Sequence, residues 1–262
     1  MQERLSDSVT TESGVMRYGV RNRAPFWATL VLTVGTSVRV DADTVIRHEV
    51  RYSWKRGVEE QTVEGQRYLL SKTRARLDQG LESYLVDTEL GAFYYFDLEA
   101  ESFDTHPSPW RLEAAVPDEL REQARKQLAR TMPQTIRVTR SGQTDRIGGY
   151  EVEHVRIDAG GPEEPLSARF DLWVSSDLWR KLAGTAYWAL ESDRLSTSPY
   201  TAWLVAPLRE LEGFPVKTEV VMELEGGRLR SEYVRLLTAV EEAVEVPDSA
   251  YRVPEGFTPF PK

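Results

Sequence analysis

From Thr44 onward, single apolar and polar residues alternate: Ile46, His48, Val50, Tyr52 and Trp54 fall on one side, Arg47, Glu49, Arg51 and Ser53 on the other. A period of two fits an extended chain and no helix, so this stretch reads as a half-buried antiparallel strand. Gly57 breaks it. Val58–Gly65, Gln66–Asp78, Leu81–Asp87, Ala92–Asp97 and Glu99–Thr105 follow at short spacing, with Gly91 and Leu98-Glu99-Ala100 between them. Short strands at such spacing predict a meandering antiparallel sheet. No period of 20–50 residues recurs, which excludes solenoids and propellers.

His106-Pro107-Ser108-Pro109 closes this meander, and Pro117-Asp118-Glu119 then opens a helix with acids at its positive end. Leu120, Ala124, Leu128 and Met132 give it a narrow apolar stripe that predicts packing on a sheet, and Pro133 stops it. The pattern then returns to strands. Thr135–Arg140, a Gly142 turn, Gly148-Gly149 and Tyr150–Asp158 read as a hairpin, with Val152 and His154 on one side and Val155 and Ile157 pointing to a bulge or to partial burial on both sides. Ala168–Ser175 is a strand with Phe170, Leu172 and Val174 on one side. Val216–Leu224 and Arg228–Leu237 form a hairpin through Gly226-Gly227. Between them Ser175, Ser176 and Asp177 cap one helix carrying Leu178, Leu182 and Ala186, with Trp179, Ala183 and Leu190 beside. The chain ends in an irregular tail around Pro254-Glu255-Gly256-Phe257.

Composition bears on compartment. The 262 residues include no cysteine, and 33 basic against 42 acidic residues leave a net charge of −9. This excludes disulfides, thiolate metal sites and a lipidated N-terminal Cys, and it argues against a nucleic-acid groove. Residues 1–15 are polar and patternless. From Met16, Arg17, Arg21 and Arg23 precede an apolar run, Ala24 to Val38, with small residues at Val40-Asp41-Ala42. That is the layout of a signal peptide cleaved near Ala42, with Met16 a second candidate start. The run is too short for a membrane span. The expected product is an exported, periplasmic protein with one domain over residues 43–262.

Chemistry-bearing patterns are sparse. His48, His106 and His154 are far apart, no Gly-x-Ser-x-Gly or phosphate loop occurs, and acidic pairs such as Glu163-Glu164 are neighbours on the surface. The reading is non-enzymatic, without catalytic residues, metal ligands or cofactor.

The order of Arg74-x-Arg76-x-Asp78, Tyr84-Leu85-Val86-Asp87, Tyr95-Phe96-Asp97-x-Glu99 and Phe103 resembles the N-terminal half of the outer-membrane lipoprotein carrier superfamily. In the second half, Gly149-Tyr150-Glu151, Leu172-Trp173-Val174-Ser175, Gly213-Phe214-Pro215-Val216-Lys217 and Val253-Pro254-x-Gly256-Phe257 look like an uncharacterised branch of it. The resemblance covers about Asp43 to Phe257. It implies a mainly β (α+β) fold: a curved, unclosed antiparallel β-sheet, a half-barrel, with covering helices over a concave face able to hold acyl chains. Expected partners are an amphiphile or lipoprotein acyl chain, or, in the alternative, an envelope protein bound by sheet edge or convex face, with no nucleic acid. Alternation puts Val50, Trp54, Phe170, Leu172, Val220 and Met222 toward such a cavity. Trp179 and Trp188 are candidates for its cover.

Overall fold

The computed structural model describes residues 43–55, 59–111, 118–161, 164, 166–224 and 229–260. The signal-peptide reading, Gly57, Pro117 and the Gly226-Gly227 turn lie outside these residues. Their strands are β1 (Asp43–Lys55), β2 (Glu59–Leu70), β3 (Arg74–Gln79), β4 (Glu82–Asp87), β5 (Ala92–Asp97), β6 (Ser102–Pro107), β7 (Ile136–Ile147), β8 (Tyr150–Ala159), β9 (Leu166–Ser175), β10 (Phe214–Leu224), β11 (Leu229–Val244) and β12 (Thr258–Pro259). The α-helices are α1 (Arg121–Thr131), α2 (Ser176–Leu182), α3 (Tyr187–Ser196) and α4 (Val205–Glu210).

All 12 strands form one curved sheet that does not close, in the order β12-β6-β5-β4-β3-β2-β1-β11-β10-β9-β8-β7. The half-barrel with a few helices is therefore the fold: the alternation predicted the antiparallel meander, and the resemblance implied its open curvature. Every neighbouring pair is antiparallel except β12 on β6. The long strands β1 and β11 pair at the centre and join the first meander to the second. The chain from Asp43 onward thus begins and nearly ends side by side.

Two of three buried clusters lie on the concave face. One joins Ile46, Tyr68, Leu77 and Phe93 of the first meander to Leu178 of α2, Leu190 of α3 and Phe214. The other joins Ile157, Phe170, Leu172 and Val220 to Leu195, Trp203, Leu204 and Leu211 of the helical segment. The third covers the opposite face, where Leu69, Leu85 and Phe96 meet Tyr251, Val253 and Phe257. The tail is therefore not simply irregular. It packs as a second layer and adds β12 to the sheet. Burial on both faces explains why Tyr68, Leu69 and Leu70 are all buried in succession.

Other expectations shift. No strand break falls at Gly65; β2 runs through it, and the turn comes at Ser71–Thr73, closed by Ser71 N donating to Arg74 O at 2.8 Å. β7 likewise continues past Gly142, and the bulge lies on β7 between Arg140 and Thr144, opposite β8, so the extra residues sit on the exposed edge strand. The single helix after Ser175 is two. Ser175 does cap α2, its hydroxyl accepting from Leu178 N at 3.4 Å, but the chain breaks at Ala183–Ala186, around Gly184, before α3 starts. In α1 the expected apolar stripe does not pack where its ends are described: Leu120 and Met132 are 47% and 37% exposed. Among the described residues no helix is long and apolar enough to cross a membrane.

Candidate functional site

Strand register arranges the concave face in rows. Val50, Arg235, Thr218 and Leu172 are successive partners across β1, β11, β10 and β9. The next row is Tyr52, Tyr233, Val220 and Phe170, and the next Trp54, Ser231, Met222 and Ala168. The six strand residues expected to point inward thus share three adjacent rows. Val50, Phe170, Leu172 and Val220 are buried, and Met222 packs beside them. The side chain of Trp54 lies outside the description.

Over these rows lies the segment from α2 to α4. Trp203 is 3% exposed, meets Phe170 edge to face at 5.7 Å, and donates its indole N–H to the Tyr200 carbonyl at 2.7 Å. Trp179 and Trp188 pack against each other, 5.5 Å between centroids. Beneath them is an inner cavity of about 40 Å³ lined by Phe170, Leu172, Trp179, Trp188, Thr218 and Arg235, among others. A cleft of about 410 Å³ lies outside, between Thr88, Ser108, Pro109 and the helices. Trp188 lines both spaces. The inner one has room for one or two waters and none for an acyl chain; the outer one falls in the range of small-ligand sites.

The inner cavity is polar in a way the alternation pattern did not reveal. Glu191 of α3 is buried, accepts from Tyr68 Oη at 2.9 Å, and is held by Arg194 through Nη2 at 2.9 Å and Nε at 3.1 Å. Burial alone would raise the Glu191 carboxyl, but the charge and bonds of Arg194, with Arg235 and Tyr68, hold it below the usual carboxylate range. Arg235 donates to Tyr68 Oη at 3.3 Å, while its buried Nε has no partner. Burial works against its charge, yet Tyr68, Tyr187 and Glu191 around it push its pKa up, so it stays ionised. His48, stacked 6.0 Å from Phe214, has neither ring nitrogen bonded. Burial and then the Arg235 charge push it well below its ordinary value, so it is neutral. Thr218 Oγ1 and Trp188 Nε1 are likewise buried and unpartnered.

Asp193 fixes the other side of α3. It accepts from Ser108 Oγ at 2.6 Å and from Trp110 N at 2.7 Å, tying the helix to the loop after β6. Burial lifts its pKa in spite of these two bonds. On the face opposite Leu172, Asp171 Oδ1 lies 2.9 Å from His154 Nε2, and His154 Nδ1 lies 3.2 Å from Ser141 Oγ. His154 and Asp171 are half-buried and the Ser141 end is exposed, the serine hydroxyl also donates to the His154 carbonyl at 3.1 Å, and Arg156 Nε takes the same Asp171 oxygen at 2.8 Å. This relay therefore reads as a surface hydrogen-bond chain. Among the described residues no three His, Asp or Glu side chains converge to hold a metal.

Among solved structures, the chain is similar to PNGF-II (11% identity, TM-score 0.40, covering 84% of this chain and 32% of that one). It is also similar to a LolA superfamily protein from Nitrosomonas europaea (11%, TM-score 0.27, 81% and 91%). A third is a DUF1329 family protein from Desulfovibrio piger (11%, TM-score 0.31, 82% and 91%). The chain spans about a third of the PNGF-II structure it matches. No curated protein matches. Residues 117–257 match the family described as Domain of unknown function (DUF4412), more than half of the sequence, and the chain belongs to that family.

Proposed function

We propose that this chain is a periplasmic, non-enzymatic binding protein for a lipid, lipoprotein acyl chain or other amphiphile, and that residues 43–262 act as one domain once a signal peptide is removed near Ala42. The observation that carries the reading is Trp188, a single side chain standing between the 410 Å³ outer cleft and the 40 Å³ inner cavity. Beneath it are an apolar concave face and a short, interrupted helical segment. A half-barrel is open along one side, so its inner face is covered by helices and not by strands. Breaks at Ala183–Ala186 and at Thr197–Thr201 leave that cover in short pieces, and short segments of this kind open at lower free energy than a sheet does. The structure has the cover closed. A ligand enters when Trp188 swings and α3 shifts, merging the two spaces.

Lipid extraction and mass spectrometry of the chain purified from a bacterial periplasm test this. The expected result is a stoichiometric amphiphile, or uptake of one when the purified protein is offered it. Protein that is free of lipid and takes up none refutes the reading.

A second reading, a structural or regulatory envelope protein bound to another protein, is favoured by β7. This edge strand is exposed along nearly its whole length, with Ile136 41% and Val138 43% exposed. Open edges accept strands from partners. Cross-linking in cells separates the two readings, since a scaffold retains one protein whereas a carrier meets its lipid donors only transiently.

A further inference from the structure

We propose that the inner cavity takes the carboxylate head of a long-chain fatty acid, paired with Arg235 and hydrogen-bonded by Thr218 and Trp188. This rests on the amphiphile reading and names the ligand class. Three observations point the same way.

The first is charge. Arg194 and Arg235 line the cavity with Glu191 as its one carboxylate. Glu191 is engaged by both donors of Arg194 and by Tyr68. Arg235 instead bonds a neutral phenol and keeps Nε free. The cavity therefore carries one positive charge in excess, and His48 beside it, being neutral, adds none. An uncompensated guanidinium in a low-dielectric interior is unfavourable, and an entering anion relieves it.

The second is hydrogen-bonding capacity. Arg235 Nε and Trp188 Nε1 can only donate, and Thr218 Oγ1 can donate, and all three are buried without partners in residues that line this one cavity. Buried donors in native proteins are normally satisfied, so three in one space are a site short of an acceptor. A carboxylate offers two oxygens with about four lone-pair directions.

The third is size and surroundings. About 40 Å³ admits a carboxylate but not a phosphodiester headgroup. The Arg235–Thr218 row adjoins the Tyr233–Val220–Phe170 row and then Met222, so polar anchor and apolar track follow one another along the strands, as head and tail do in a fatty acid.

The test is titration calorimetry of the purified chain with oleate and with oleyl alcohol, which share a tail and differ in the head. We expect oleate to bind at least tenfold more tightly, and Arg235→Gln to remove the preference while leaving alcohol binding in place. Equal binding of acid and alcohol overturns the carboxylate assignment and leaves the amphiphile reading standing. Binding of neither overturns both. Should Arg235→Gln fail to fold, the comparison on the unaltered chain decides, and Thr218→Val, an isosteric change, must reduce the preference.

Discussion

Glu191→Gln is the substitution whose cost the structure predicts most closely. Glu191 makes three charge-assisted hydrogen bonds, one from Tyr68 on β2 and two from Arg194 on its own helix. Replacing the carboxylate leaves the cavity with Arg194 and Arg235 and no counter-charge. Breaking a buried ion pair from one side costs about 3–5 kcal/mol. The Arg194 side chain is 25% exposed and can turn partly to water, so the lower end applies, about 3 kcal/mol. Tyr68→Phe removes one of the three bonds, and a hydrogen bond to a charged group contributes about 1.5–3 kcal/mol. Because both substitutions delete the same contact, the double variant should be more stable than the sum of the two by about 1 kcal/mol or more. The sign with pH is fixed by the depressed Glu191 pKa: its contribution is present above the ordinary value of 4.5 and is lost as pH falls below it. Urea unfolding of wild type, both single variants and the double variant at pH 7, repeated stepwise down to pH 4, measures all of this. A Glu191→Gln cost under 1 kcal/mol, or wild type and variant weakening in parallel below pH 4.5, refutes the claim that the charged Glu191, held by Arg194 and bonded to Tyr68 of β2, ties the cover to the sheet.

Trp188→Ala should merge the cleft with the inner cavity and raise the fluorescence of an added apolar dye several-fold at equal protein concentration, whereas unchanged dye uptake would show that Trp188 is not the partition. His48→Phe should be neutral or stabilising by about 1 kcal/mol, since a ring with two unsatisfied nitrogens is replaced by one that stacks on Phe214. Because the folded His48 pKa lies below 6.5, wild type loses stability as pH falls from about 6.5, and the variant should lose less between pH 7 and 5 in thermal melts. At Gly160, φ is +69° and an added Cβ would lie 1.9 Å from the Leu166 carbonyl oxygen, so Gly160→Ala should cost about 2 kcal/mol or more by urea unfolding, through strain at the β8–β9 loop.

What alternation encodes was legible: β1, β4, β5 and the hairpins of the second half, and with them an antiparallel meander, while the open curvature came only with the resemblance. The same period puts Val50, Phe170, Leu172, Val220 and Met222 on one face of the sheet, where the register has them, although only Phe170 and Leu172 of these line the inner cavity. Features that depend on the partner across space were not legible. Nothing local in Tyr251, Val253 and Phe257 says that they cover Phe96 from the far side of the sheet, and Gly65 reads as a breaker although pairing with β1, opposite Glu49, carries β2 through it. In the site, Glu191 and Arg194 at i, i+3 look like an exposed helical pair, and Arg235 looks like an outward residue until the register sets it beside Thr218 on the covered face. Parity places His48 on the apolar side of β1, and it sits there, buried opposite Leu237; what parity does not show is that neither ring nitrogen finds a partner.

The central claim is a closed cover over a ligand-receiving half-barrel, and hydrogen exchange by mass spectrometry, with and without a bound long-chain amphiphile, tests it most directly. In the ligand-free chain, amides of residues 176–211 should exchange far faster than those of β9, β10 and β11 beneath them, and ligand should change protection in that helical segment while leaving the central strands as they were. Helices as slow to exchange as the strands, and unaltered when ligand is added, would contradict it.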